Sequence, residues 1–154
     1  MMVNGKEIRE KVKRELVRGG FKVRYLRGVE SEDWGDDTRA EMSVTEREVR
    51  VFGQRGDNYT HSLLHEWLHT LMPELRPRGF ADDIEAICFG IDLEEWTVNL
   101  AQLIVFRGMG WDDEWMRGKL CANDVDDLFN APNPGVVEDA HRRAKVVMGV
   151  LNEE

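Results

Sequence analysis

The stretch HSLLHEWLHTLMP, residues 61–73, constrains this chain more than any other. Leu64, Leu68 and Leu71 recur at helical spacing, and Pro73 closes the run because a proline disfavours helical backbone in the residue before it. The spacing predicts a helix over residues 59–72. Within it His65 and His69 stand four apart, with Glu66 directly after the first. Residues four apart share one helix face at about 5–6 Å, roughly the distance two imidazoles need to hold one zinc ion. Glu66 lies one step around, where its carboxylate can reach a water at the ion without taking a coordination position. This is the physical sense of HExxH: two ligands and one general base from a single rigid turn. The bland alternative is an amphipathic helix that carries histidines by accident. At this chain's His and Glu frequencies, the pattern arises by chance in on the order of half a percent of chains this length.

His61 lies one turn earlier on the same face. With His69 it spans about 12 Å along a straight helix, too far to share a tetrahedral ion. It is expected to be exposed near the helix start or at the rim of a site.

A catalytic zinc usually has three protein ligands and an open position. A histidine or aspartate six residues after the motif is excluded, because that place is Leu75. The next acids are Asp82, Asp83 and Glu85, in RGFADDIEAICFGI. Glu85 is the favoured third ligand, since it sits among Ile84, Ala86, Ile87 and Cys88, where an uncompensated carboxylate is costly to bury. Against it, Asp82-x-x-Glu85 also reads as a capping box, in which Glu85 merely holds the helix start. Asp82 and Asp83 are the alternatives, followed by Asp92 and Glu95. Asp82 or Asp92 could instead hold a histidine's second nitrogen.

The rest of the chain supplies a scaffold. Ile8, Val12 and Leu16 mark a helix over residues 5–18, stopped by Gly19-Gly20. FKVRYL, residues 21–26, alternates like a half-buried strand. AEMSV and EVRVF alternate as well, and the short Thr45-Glu46-Arg47 link between them predicts an antiparallel hairpin. The first strand and the hairpin are expected to form one small sheet. A long helix is predicted from Asp82 to about Arg107, with the apolar run 98–106 buried on several sides. The terminal segment VVEDAHRRAKVVMGVL predicts an amphipathic helix with Val137, Ala140, Ala144, Val147 or Met148, and Leu151 inward. The expected class is α+β, with about three strands packed on the motif helix. It reads as a single domain over residues 1–154, with a metal-site core at 20–107 and a helical extension at 108–154.

Composition limits the partners. The 154 residues are 42% hydrophobic and 33% charged, with a net charge of −9. That describes a globular chain large enough for a core, and it argues against nucleic acid or an anionic membrane as partner. The N-terminus, charged from its sixth residue, has no export signal, and the run 98–106 is too short to span a bilayer. Cys88 and Cys121 lack a CxxC pattern and suit two buried thiols in a reducing compartment, so a cytoplasmic protein is expected.

In its order of strand, hairpin, HSLLHEWLH and glutamate-bearing helix, the chain resembles the zincin metallopeptidases. Within them it looks like the small ImmA/IrrE-like and related HExxH proteins of phages and mobile elements. That family often follows HExxH with a helix of the form E-x-E-A-x-x-F-A. DIEAICFG, residues 83–90, is similar, with Asp83 for the first glutamate, Gly90 for the last alanine and Glu85 on the ligand glutamate. The resemblance covers about residues 20–107. It implies a motif helix packed under a small sheet, with residues 48–52 as the edge strand that pairs with an extended substrate. It also implies zinc-dependent cleavage of a cytosolic protein or peptide. The sixteen-residue gap from His69 to Glu85 is short for much of the family, and the C-terminal third matches no part of its pattern.

Other signals are weaker. Glu138 and His141 have the spacing of di-iron bundles, but the further glutamates such a site needs on partner helices are not found, and a solvated helix face explains them. NDVDDLF, residues 123–129, lacks the glycine that a calcium loop requires. Trp111 and Trp115 read first as core anchors and second as a partner-binding patch. His141 and Tyr59 are candidates for steadying an oxyanion. The reading is therefore a zinc endopeptidase with one Zn2+ held by His65, His69 and Glu85, and Glu66 as base. Its alternative is a non-catalytic binding or assembly protein whose zinc only ties two helices together.

Overall fold

The computed structural model describes residues 4–26, 40–53, 56–72, 93–111 and 134–153. Its contacts group into two compact units, one over Asn4–Pro77 and one formed by Arg78–Glu154 with the extreme N-terminus. The described residues are α+β and mostly helical, with a three-stranded mixed sheet.

In the first unit, α1 (Gly5–Arg18) opens on Asn4, whose side chain accepts a hydrogen bond from the Glu7 amide and so satisfies one of the orphan donors at a helix start. Ile8, Val12 and Leu16 form its buried stripe, as their spacing predicts. Gly20 takes φ +88°, and the Phe21 amide then donates to the Leu16 carbonyl at 2.9 Å. That six-to-one bond across a left-handed glycine is a Schellman stop, and it turns the chain directly into β1 (Lys22–Leu26).

The hairpin of β2 (Ala40–Ser43) and β3 (Glu48–Phe52) pairs antiparallel, with Met42 opposite Val49. Arg47 turns it at φ +52°. β1 then pairs parallel to the other side of β3, Val23 opposite Val49, so the strand order is β1-β3-β2. This overturns the expectation that residues 48–52 form the edge. Alternation along β3 sets which face is buried, and it carries no information about which neighbours flank it. Val49 and Val51 are fully buried, whereas Glu48 and Arg50 share the other face. There Arg50 bonds Glu41 and Glu48, and Arg24 bonds Glu48.

α2 (Gly56–Thr70) packs against α1, β2 and β3. It starts three residues earlier than predicted, at a glycine with φ +57°, and ends two residues sooner. Arg9 fastens it to α1, donating through Nη1 to Thr60 Oγ1 at 2.7 Å and to the Gly56 carbonyl at 3.2 Å.

In the second unit, α3 (Leu93–Gly108) packs on α4 (Pro134–Leu151). α3 buries Val98, Leu100, Ala101, Leu103, Val105 and Phe106, so its apolar run is covered on several sides as expected. The predicted earlier part of this helix, 82–92, lies outside the described residues. Gly110 at φ +71° and a Trp111 amide bond to the Phe106 carbonyl end it with a second Schellman stop. Trp111 is buried edge-on to Phe106, with ring centroids 5.2 Å apart, as a core anchor should be. On α4 the buried row is Val136, Ala140, Ala144, Val147 and Leu151, with Val136 in the place expected of Val137. Arg143 is buried in the same row, which the apolar pattern does not announce.

Candidate metal centre

α2 is buried around most of its circumference. Leu63, Leu64, Trp67 and Leu68 provide the apolar part, and Thr60, His61, Glu66 and His69 are buried with them. Burying an ionisable side chain is costly unless something compensates it. His61, Glu66 and His69 are three such groups on one helix. The burial of His61 corrects its expected exposure: with α2 beginning at Gly56, His61 falls in the second turn and not at the helix end.

The two motif histidines converge. His65 Nε2 and His69 Nε2 lie 3.2 Å apart, with ring centroids at 4.8 Å and ring planes at 78°. Two nitrogens at about 2.05 Å from a tetrahedral zinc stand about 3.3 Å apart, so the observed spacing matches that of a shared ion. A direct N–H···N hydrogen bond between two neutral imidazoles has a similar length, and it needs one ring to carry its proton on Nε2. His69 is buried and His65 is half-exposed. Glu66, the next residue in the same turn, is 6% exposed. The two nitrogens can share a divalent cation, and Glu66 follows His65 directly in the same helical turn, the residue types that metal-assisted hydrolysis uses.

The remaining candidates divide between described and undescribed residues. Glu85, Asp82, Asp83 and Asp92 lie outside the described residues, as do both cysteines and Trp115. Glu95 is in the first turn of α3 and half-buried. Its neighbour Glu94 is taken up by Arg143. His141 and Glu138 are exposed on α4. Tyr59 lies in α2, its ring edge-on to Tyr25 at 5.1 Å. The sequence reading missed β2 as an edge. Among the described residues it has one hydrogen-bonded neighbour, and it packs against α2.

Among the described residues no helix is long and apolar enough to cross a membrane. Comparison of the chain with protein-family models, with curated proteins and with solved structures finds no match to any of them.

Proposed function

We propose that this chain is a zinc-dependent endopeptidase of the zincin type, acting in the cytoplasm on a protein or peptide. The observation that carries the reading is the convergence of His65 and His69 at zinc spacing, with Glu66 in the same turn. His65 and His69 would hold the ion, and Glu85 is the proposed third ligand, with Glu95 as the described alternative. Bound there, zinc would supply Lewis acidity that activates a water and polarises the scissile carbonyl. Glu66 takes the proton of the attacking water and returns it to the departing amine. β2, with its second edge unpaired among the described residues, offers main-chain donors and acceptors along which an extended substrate can align.

The test is Glu66→Gln. Cleavage of a casein substrate should fall by at least about a hundredfold while bound zinc stays near one per chain. Unchanged cleavage removes Glu66 from the chemistry. Metal titration of Glu85→Ala and Glu95→Ala then identifies the third ligand, since the correct one weakens zinc binding and the other does not.

One observation favours a second reading. Glu66 and His69 are both buried, and a structural zinc site is closed where a catalytic one keeps an open position. On that reading the protein is a non-catalytic assembly or binding module. A chelator then unfolds it, and Glu66→Gln changes nothing but local stability.

A further inference from the structure

The net charge of −9 is unevenly placed. Residues 4–77 contain fourteen basic and fourteen acidic side chains, and residues 78–154 contain seven and sixteen. Within the first unit, residues 4–26 hold eight basic residues against three glutamates. Two of these cations meet at one ring: Lys13 Nζ stands 4.8 Å from the Tyr59 centroid, and Arg9 Cζ stands 5.5 Å from it. Both are half-buried on α1, one turn apart. Like charges at that spacing repel, and a carboxylate normally offsets them. Among the described residues Arg9 hydrogen-bonds a carbonyl and a hydroxyl, and Lys13 stands over the ring. Among the described residues neither has a carboxylate partner, and the Tyr59 hydroxyl has no hydrogen-bond partner. An ammonium and a guanidinium therefore stand at one phenol ring without an anion among the described residues. Cation–π attraction aligns the two charges and does not neutralise them.

We propose that the Arg9–Lys13–Tyr59 cluster is a recognition subsite for a carboxylate side chain of an acidic peptide. This rests on the peptidase reading above and names its substrate class. Tyr59 and Glu66 are seven residues apart on α2, so they face the same way, about 10.5 Å apart along the helix. An extended peptide advances about 3.3 Å per residue. A glutamate or aspartate about three residues from the scissile bond thus reaches the cluster while the bond lies at Glu66. The negative field of the whole chain works against acidic ligands, so preference for one needs a local site.

The test reads binding, not cleavage. A fluorescein-labelled alanine-rich decapeptide with three adjacent glutamates is titrated with the full chain as purified, without chelator, at low salt, followed by anisotropy. Matched peptides carry glutamine or lysine instead. The glutamate peptide should bind at least about fivefold tighter than the glutamine one. Lys13→Gln should remove that preference. Lys13→Glu should invert it toward the lysine peptide, and neither change touches the bonds that Arg9 makes to α2. Equal binding of the glutamate and glutamine peptides, or a preference that survives Lys13→Glu, overturns the subsite. Because the readout is binding and not turnover, the result stands apart from that of Glu66→Gln.

Discussion

Arg143 and Glu94, 49 residues apart in sequence, form a two-pronged ion pair between α4 and α3. Arg143 Nη1 donates to Glu94 Oε2 at 2.8 Å and Nη2 to Oε1 at 2.6 Å. Asp139, one turn back on α4, receives Nε at 3.0 Å and Nη2 at 2.7 Å. The arginine side chain is 2% exposed, while Glu94 and Asp139 retain some water. Burial by itself pushes the guanidinium down, and its bonds and charges with Glu94 and then Asp139 more than offset that, holding it above its ordinary value.

Arg143→Met should therefore destabilise the fold by about 2–4 kcal/mol, because it leaves two carboxylates facing an apolar side chain. Adding Glu94→Gln and Asp139→Asn should recover much of the loss. The sign of the pH dependence follows from the raised value. A group held higher in the folded state contributes fully below its unfolded pKa, and that contribution is lost only as pH rises through the folded one. The stability gap between the parent and Arg143→Met, measured by urea unfolding, should thus be flat from about pH 7 to 10. A gap that closes over that range contradicts the assignment.

Thr60→Val tests the joint between α1 and α2. The buried Thr60 hydroxyl accepts from Arg9 and faces the Gly56 carbonyl at 3.3 Å, and valine keeps its shape without either bond. A charged donor loses its acceptor, so a loss of about 1–3 kcal/mol is expected, as a lower urea midpoint at unchanged slope. Zinc content should not move. A shift under about 0.5 kcal/mol would mean that water replaces the hydroxyl.

Gly108→Ala sets two effects against each other. In α3 an alanine gains about 1 kcal/mol of helix propensity over glycine. Its new Cβ, however, would fall on the Met148 sulfur of α4. Met148 is half-exposed and its thioether end is flexible enough to move aside, so the clash offsets part of that gain and the net change should stay within about 1 kcal/mol of zero. In a Met148→Ala background the clash is gone, and Gly108→Ala should become stabilising. Thermal melts of the four proteins give the coupling directly. Independent effects of the two changes would contradict the contact.

α1 could be read closely from sequence because its information is local. Ile8, Val12 and Leu16 make a clean stripe, Asn4 caps it and Gly20 supplies the left-handed stop. The motif helix was equally plain, since histidine spacing and leucine spacing agree on one period. Its start was not, because Gly56, Asp57 and Asn58 have the composition of a loop. The place of β3 in the middle of the sheet depends on where β1 returns, a non-local choice that alternation does not encode. Arg143 occupies a position in the row of Val136, Ala140 and Val147, which put it on the buried face. What pays for its burial is Glu94 on another helix, and no local pattern reports that.

The proposed site requires one ion shared by His65 and His69, and zinc stoichiometry tests that most directly. The purified chain, equilibrated with zinc and then desalted, should retain about one zinc per chain by elemental analysis, and His65→Ala and His69→Ala should each retain less than about a tenth of that. A parent chain that retains none, or a His69→Ala chain that retains as much as the parent, would contradict it: the 3.2 Å approach would then be a hydrogen bond between two neutral rings.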